Sequence, residues 1–154
     1  MRRASNALGA AAVLGLVVAL RRRRENPTQS LRRYYEAWAQ GDSKALRSLL
    51  ADDYRGHVHT LAGTEERDAE QLADLLENHA EAFEWTNFDV RDVLRDGDRL
   101  AARVTMRARH RETGREAEID GLVILRLVGG RIAEEWSSWD YLGLAEQLGL
   151  AKVA

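Results

Sequence analysis

Six side chains stand out as candidates for proton transfer: four histidines, Glu135 and Tyr34. His57 and His59 stand two apart in an extended segment, so they face the same way. His79 recurs with Leu72, Leu75, Leu76 and Phe83 on the apolar stripe of a helix, and His110 closes the alternating run Val104, Met106, Ala108. Imidazole titrates near neutrality and serves as a base without extreme tuning. Glu135 shares parity with Ser137 on the last strand, and a carboxylate beside an imidazole would fix its tautomer and raise its basicity. The candidate catalytic set is therefore His57, His79, His110 and Glu135. The bland alternative is an exposed pair at 57 and 59 and satisfied core histidines at 79 and 110.

Tyr34 is a phenolic donor, and Trp38 and Trp139 are flat apolar walls of the kind that hold planar ligands. Met106, Val123 and Ser137 share the inward parity of their strands and complete the expected ligand-contacting set. No nucleophile-elbow motif surrounds Ser137, which makes it a hydrogen-bonding wall residue. A His-x-His pair can bind zinc or copper, but no further ligand follows by spacing, so no metal is expected. There is no phosphate loop and no dinucleotide glycine motif. Cysteine is absent, which excludes thiolate catalysis, cysteine-ligated zinc and iron–sulfur clusters. The expectation is a site without a cofactor.

Helices and strands must position these groups. Asn26-Pro27-Thr28 starts a helix with the stripe Leu31, Tyr34, Tyr35, Trp38, ended by Gly41. Asp42 caps a short second helix, and a strand follows over Tyr54–Thr60. Gly63 to Asp68 starts a third helix. Four strands come next: Phe88–Leu94, Leu100–Arg111, Arg115–Val128 and Arg131–Trp139, joined by glycine turns and hence antiparallel. A closing helix spans Leu142–Leu148. On the second of these strands Arg103, Arg107, Arg109 and Arg111 oppose the acids Glu116, Glu118 and Asp120 of the third, an ionic outer ladder rather than a nucleic-acid groove. Leu122, Ile124 and Trp136 share that outer face, an expected homodimer surface.

The chain has 154 residues, 45% apolar and 31% charged, the balance of one folded domain. Its net charge of −2 hides an asymmetry: residues 1–24 carry six arginines and no acid, leaving 17 basic against 25 acidic side chains in the body. An acidic body is a poor match for phosphate backbones, so no nucleic-acid partner is expected. Ala7–Leu20 is an unbroken apolar run flanked by arginines. As a helix it reaches roughly 21 Å, short of the ~30 Å hydrocarbon core. Four arginines stand where a signal-cleavage site would be, so residues 1–24 read as a short membrane anchor, with residues 4–24 contacting the bilayer. The arginine bias puts the globular part on the cytoplasmic side; a cytoplasmic soluble protein is the alternative. Residues 25–33 are linker and the start of helix one, and residues 30–150 are the domain.

This element order, with the ending GGRIAEEWSSWDYLGLAEQLGL and the fragments YYEAWAQGDSKALRSLLADDY and RARH, resembles the SnoaL-like polyketide cyclases of the nuclear-transport-factor-2-like superfamily. The resemblance implies an α+β, cystatin-like cone: a curved antiparallel sheet wrapped around helices, here preceded by an N-terminal apolar helix, with a pocket between sheet and helices. It implies a homodimer through the convex sheet face. The catalytic aspartate of such cyclases falls on Ser137, and a pocket histidine on Val123. Isomerases of the superfamily place carboxyls near Val58 and Val123, and a tyrosine donor seven residues before the helix-ending glycine, as Tyr34 precedes Gly41. The reading taken from these residues is a membrane-tethered, dimeric domain binding a small apolar molecule, without the family's usual aspartate. The alternative is a cofactor-free cyclase, isomerase or epoxide hydrolase with a histidine base, in which Tyr34 donates to a developing oxyanion.

Overall fold

The computed structural model describes residues 27–151. The elements run α1 (Pro27–Gln40), α2 (Ser43–Leu49), β1 (Leu50–Thr60), β2 (Gly63–Arg67), α3 (Ala69–Ala82), β3 (Phe83–Asp96), β4 (Arg99–His110), β5 (Glu116–Val128), β6 (Arg131–Trp139) and α4 (Tyr141–Leu148). The six strands form one open, curved sheet in the order β2-β1-β6-β5-β4-β3. The expected α+β architecture is present. The expected N-terminal apolar helix and the Ala7–Leu20 run lie outside the described residues. Among the described residues no helix is long and apolar enough to cross a membrane.

Three features depart from the sequence reading. The sheet is mixed: β1 lies parallel to β6, with Gly56 opposite Glu135 and Val58 opposite Ser137, while the other pairs are antiparallel. Parallel pairing needs a long crossover, and here β2, α3, β3, β4 and β5 lie between the two strands in the chain. Gly63–Arg67 is a strand rather than the start of a helix; it folds back on β1 from Thr60↔Gly63 to Gly56↔Arg67. The helix cannot begin earlier because Asp68 caps it, accepting from Gln71 N while the Gln71 side chain accepts from Asp68 N. β3 also starts early, at Phe83, directly from the end of α3.

The alternation of β4 and β5 holds. Val104, Met106, Ala108, Ile119, Val123 and Leu125 are buried, while Arg103, Arg109, Glu118, Leu122 and Ile124 are exposed. The outer ladder spans three strands: Arg107 pairs with Glu118, Arg103 with Asp92 at 2.9 Å, and Arg109 with Glu84 at 3.5 Å. Exposed pairs of this kind are worth little singly. Register shifts in β3, β1 and β5/β6 bend the sheet. Its concave face closes over α1, whose stripe Leu31, Tyr34, Tyr35 and Ala37 is buried with Leu46, Leu76, Leu100 and Ile132. Gly41 ends α1 at φ +65°, and Asp42 then caps α2 through Ala45 N at 2.8 Å.

Candidate active site

Between the concave sheet and α1, α3 and α4 lies a cavity of about 140 Å³. Its walls are apolar over most of their area: Leu72 and Leu75 from α3, Phe83 and Phe88 from β3, Met106 and Ile119 from β4 and β5, Val58, Trp139 and Leu144. The polar residues of its lining are Tyr34, Tyr35, Trp38, Arg67, His79, Glu135, Ser137 and Tyr141. Of the residues expected from sequence, His79, Glu135, Tyr34, Trp38, Met106, Ser137 and Trp139 are brought together here.

The centre of the site is Glu135, which is 4% exposed. Its Oε2 accepts from Tyr34 Oη at 2.6 Å and from Tyr54 Oη at 2.9 Å. Burial raises its carboxyl above the usual range; hydrogen bonds from Tyr34, Tyr54 and Ser137 and the charge of Arg67 pull part of that rise back. The phenols move the other way from ionisation. Burial and the Glu135 charge push Tyr34 and Tyr54 above the ordinary tyrosine value, so both keep their protons and donate. The result is one titratable carboxyl, held by neutral donors, on the wall of an apolar cavity.

Two glycines make room for this arrangement. A Cβ on Gly56 would stand 2.6 Å from Tyr54 Oη, so only glycine lets that hydroxyl lie across β1 toward β6. A Cβ on Gly121 would stand 2.4 Å from the Trp139 ring, which therefore packs flat on β5.

The histidines behave differently from the expectation. His79 reaches the cavity, but its Nε2 is engaged with Thr86 Oγ1 at 2.9 Å and its ring stacks on Phe83 at 4.6 Å. Burial lowers its pKa to about 4, which keeps it neutral and weakly basic. His57 points to the opposite face of the sheet. It stacks on Trp136 at 5.4 Å and meets Glu134 at 3.2 Å. Period two places Tyr54, Gly56 and Val58 inward, so His57 must face outward. His110 stands at the end of β4, bonded to Thr113 in the following turn at 3.1 Å, and does not line the cavity. Val123 is 1% exposed, part of the core, and does not line the cavity. Glu135 is thus partnered by tyrosines, not by an imidazole, and Tyr34 donates to it directly.

Sequence reasoning missed Tyr54, Tyr35, Arg67 and Tyr141. The signal for Tyr54 was its parity with Gly56 and Val58. For Tyr35 it was the helical stripe, which marks burial but not the orientation of a hydroxyl.

A family model described as SnoaL-like polyketide cyclase matches residues 28–148. No curated protein matches the chain by sequence. Among solved structures, IdmH of Streptomyces antibioticus, a candidate polyketide cyclase, is similar at 30% identity and TM-score 0.73, over 81% of this chain and 99% of that one. TsrD of Streptomyces laurentii is 26% identical at TM-score 0.70, over 80% of this chain and 95% of that one. A protein of Catenulispora acidiphila with a ketosteroid isomerase-like fold is 18% identical at TM-score 0.70, over 79% of this chain and 93% of that one; this likeness is one of fold.

Proposed function

Because this chain belongs to the SnoaL-like polyketide cyclase family, we propose that it is a cofactor-free acid–base catalyst in which Glu135 moves a proton at a carbon next to a ligand carbonyl. The observation that carries this reading is the Glu135 carboxyl itself, buried on the cavity wall and held by Tyr34 and Tyr54. A carboxyl that burial holds above the ordinary range is, once ionised, a stronger base than an ordinary one. His79, lowered to about 4, is a poorer proton acceptor.

In the proposed sequence ionised Glu135 takes the proton from the α-carbon. The resulting enolate carbon attacks a second carbonyl of the same molecule, forming the ring C–C bond. The alkoxide left on that carbonyl takes the proton back from Glu135. Tyr34 and Tyr54 stay protonated throughout and position the carboxylate. IdmH, named as a candidate cyclase and 30% identical, supports a reaction of this class.

The test is solvent exchange. A small ketone that binds the protein, such as 2-indanone, is incubated in D₂O and its α-protons are followed by NMR. Exchange above the buffer rate, lost in a folded Glu135→Gln variant, is the expected result. Exchange that survives in Glu135→Gln, or bound ketone with no enzyme-dependent exchange, would overturn the reading. A second reading, binding without catalysis, is favoured by the closed Tyr34–Glu135–Tyr54 network, in which each hydroxyl already has its acceptor. It predicts equal ketone affinity in wild type and Glu135→Gln, and no exchange in either.

A further inference from the structure

Two buried donors on the cavity wall have no role in the proton-transfer scheme. Tyr35 is 4% exposed, and its hydroxyl has no hydrogen-bond partner among the described residues. Trp38 Nε1, three residues along the same helix, is also buried and has no partner among the described residues. Both residues line the cavity. Proteins pair nearly all of their buried polar groups, and a lone buried donor is costly. Two on one wall call for a partner that the fold itself does not supply.

Both rings are fixed by their neighbours. Tyr35 packs at 4.9 Å from the Phe88 ring and 6.4 Å from Trp139, and its hydroxyl lies within electrostatic reach of Glu135 and Tyr141. Trp38 stands edge-on to His79 at 5.8 Å and to Tyr34 at 6.5 Å. An indole N–H can only donate, so the group it awaits is an acceptor. The cationic group of the wall, Arg67, is already engaged with Glu65 at 2.7 Å. Tyr34, Glu135 and His79 are bonded within the protein, and most of the rest of the wall is apolar. A cavity of about 140 Å³ compares with the ~150 Å³ that holds benzene, which fits one ring with short substituents.

We propose that Tyr35 and Trp38 are the specificity-determining donors of this cavity, binding acceptor oxygens of a neutral, carbonyl-bearing ring ligand, with Tyr35 taking the oxygen nearest Glu135. The proposal rests on the reading of this cavity as the ligand site. A site built to donate to an oxygen rejects the analogue that lacks it, because the donors are then left unpaired.

The probes are acetophenone and its alkene isostere α-methylstyrene, which differ in C=O against C=CH₂. Affinities for wild type, Tyr35→Phe and Trp38→Phe are taken from ligand-observed NMR titrations, and melting temperatures are recorded beside them. Each substitution is expected to weaken acetophenone by about five- to tenfold, the worth of one neutral hydrogen bond, and to leave α-methylstyrene within about twofold. Tyr35→Phe is expected not to lower Tm. In ¹⁵N-labelled wild type, acetophenone shifts the Trp38 indole N–H downfield and α-methylstyrene does not. The proposal is overturned if wild type shows no saturable binding of acetophenone, if both probes lose affinity equally, or if the ketone is unaffected by either change. Ketone discrimination without α-proton exchange defeats the catalytic reading alone. Exchange with unaltered ketone binding in Tyr35→Phe defeats the donor assignment alone.

Discussion

Tyr34 and Tyr35 are adjacent, both buried, and predicted to respond oppositely to the same substitution. Tyr34→Phe removes a 2.6 Å hydrogen bond onto a carboxyl that is 4% exposed. Hydrogen bonds to charged groups contribute about 1.5–3 kcal/mol. For the folded domain of residues 27–151 the corresponding fall in Tm is roughly 5–10 °C. Tyr35→Phe removes a hydroxyl without a partner, so its expected effect is within about 0.5 kcal/mol, in the stabilising direction if any. The Tyr34 deficit also depends on pH. The Tyr34 bond holds the Glu135 carboxyl down against burial, so its loss lets the carboxyl rise further. A carboxyl raised in the folded state gives stability that is full below its unfolded value and lost as pH rises through its folded value. The deficit of Tyr34→Phe relative to wild type is therefore larger at pH 8 than at pH 4.5. Urea unfolding of wild type and both variants at these two pH values measures it, and the titration of His79 cancels in each comparison. Equal costs for the two tyrosines, or a Tyr34 cost below about 0.5 kcal/mol, would refute the hydrogen-bond assignment.

Other outcomes follow from the same geometry. His79 folds with its pKa lowered to about 4, so its contribution is present above its unfolded value near 6.5 and lost as pH falls toward 4. Its protonation should cost roughly 2–3 kcal/mol over that window, opposed by the Glu135 carboxyl, which gains its proton as pH falls; the stability difference between wild type and His79→Gln in urea titrations should fall by that amount. Gly56→Ala places a Cβ 2.6 Å from Tyr54 Oη; it should cost about 1–3 kcal/mol and move the Glu135 carboxyl upward, read by ¹³C NMR. Leu122, 63% exposed, and Ile124, 42% exposed, lie on the outer face. If a second copy docks there, Leu122→Asp with Ile124→Asp lowers the mass seen by light scattering; an unchanged mass removes that interface.

Much of this architecture was legible because period two is strong where one sheet face is buried. The arginines of β4 alternate with Val104, Met106 and Ala108, and that pattern sorted inside from outside. Glu135 and Ser137 were legible by parity on β6, and Tyr34 by its helical stripe. The parallel docking of β1 on β6 was not, because it depends on a crossover that no local pattern encodes. That docking brings Tyr54 to Glu135 across 81 positions of sequence. Without it His57 stands out on β1 rather than Tyr54, three residues before it. Gly63–Arg67 read as a helix start because its polar residues are compatible with either state; pairing to the β1 edge decided it.

The pH profile of α-proton exchange for a bound ketone reads the proposed role of Glu135 most directly. The rate is expected to rise through a single inflection above the ordinary glutamate range, which moves to higher pH in Tyr34→Phe, and to vanish in Glu135→Gln. An inflection indifferent to Tyr34, or exchange that persists when Glu135 cannot ionise, would contradict it.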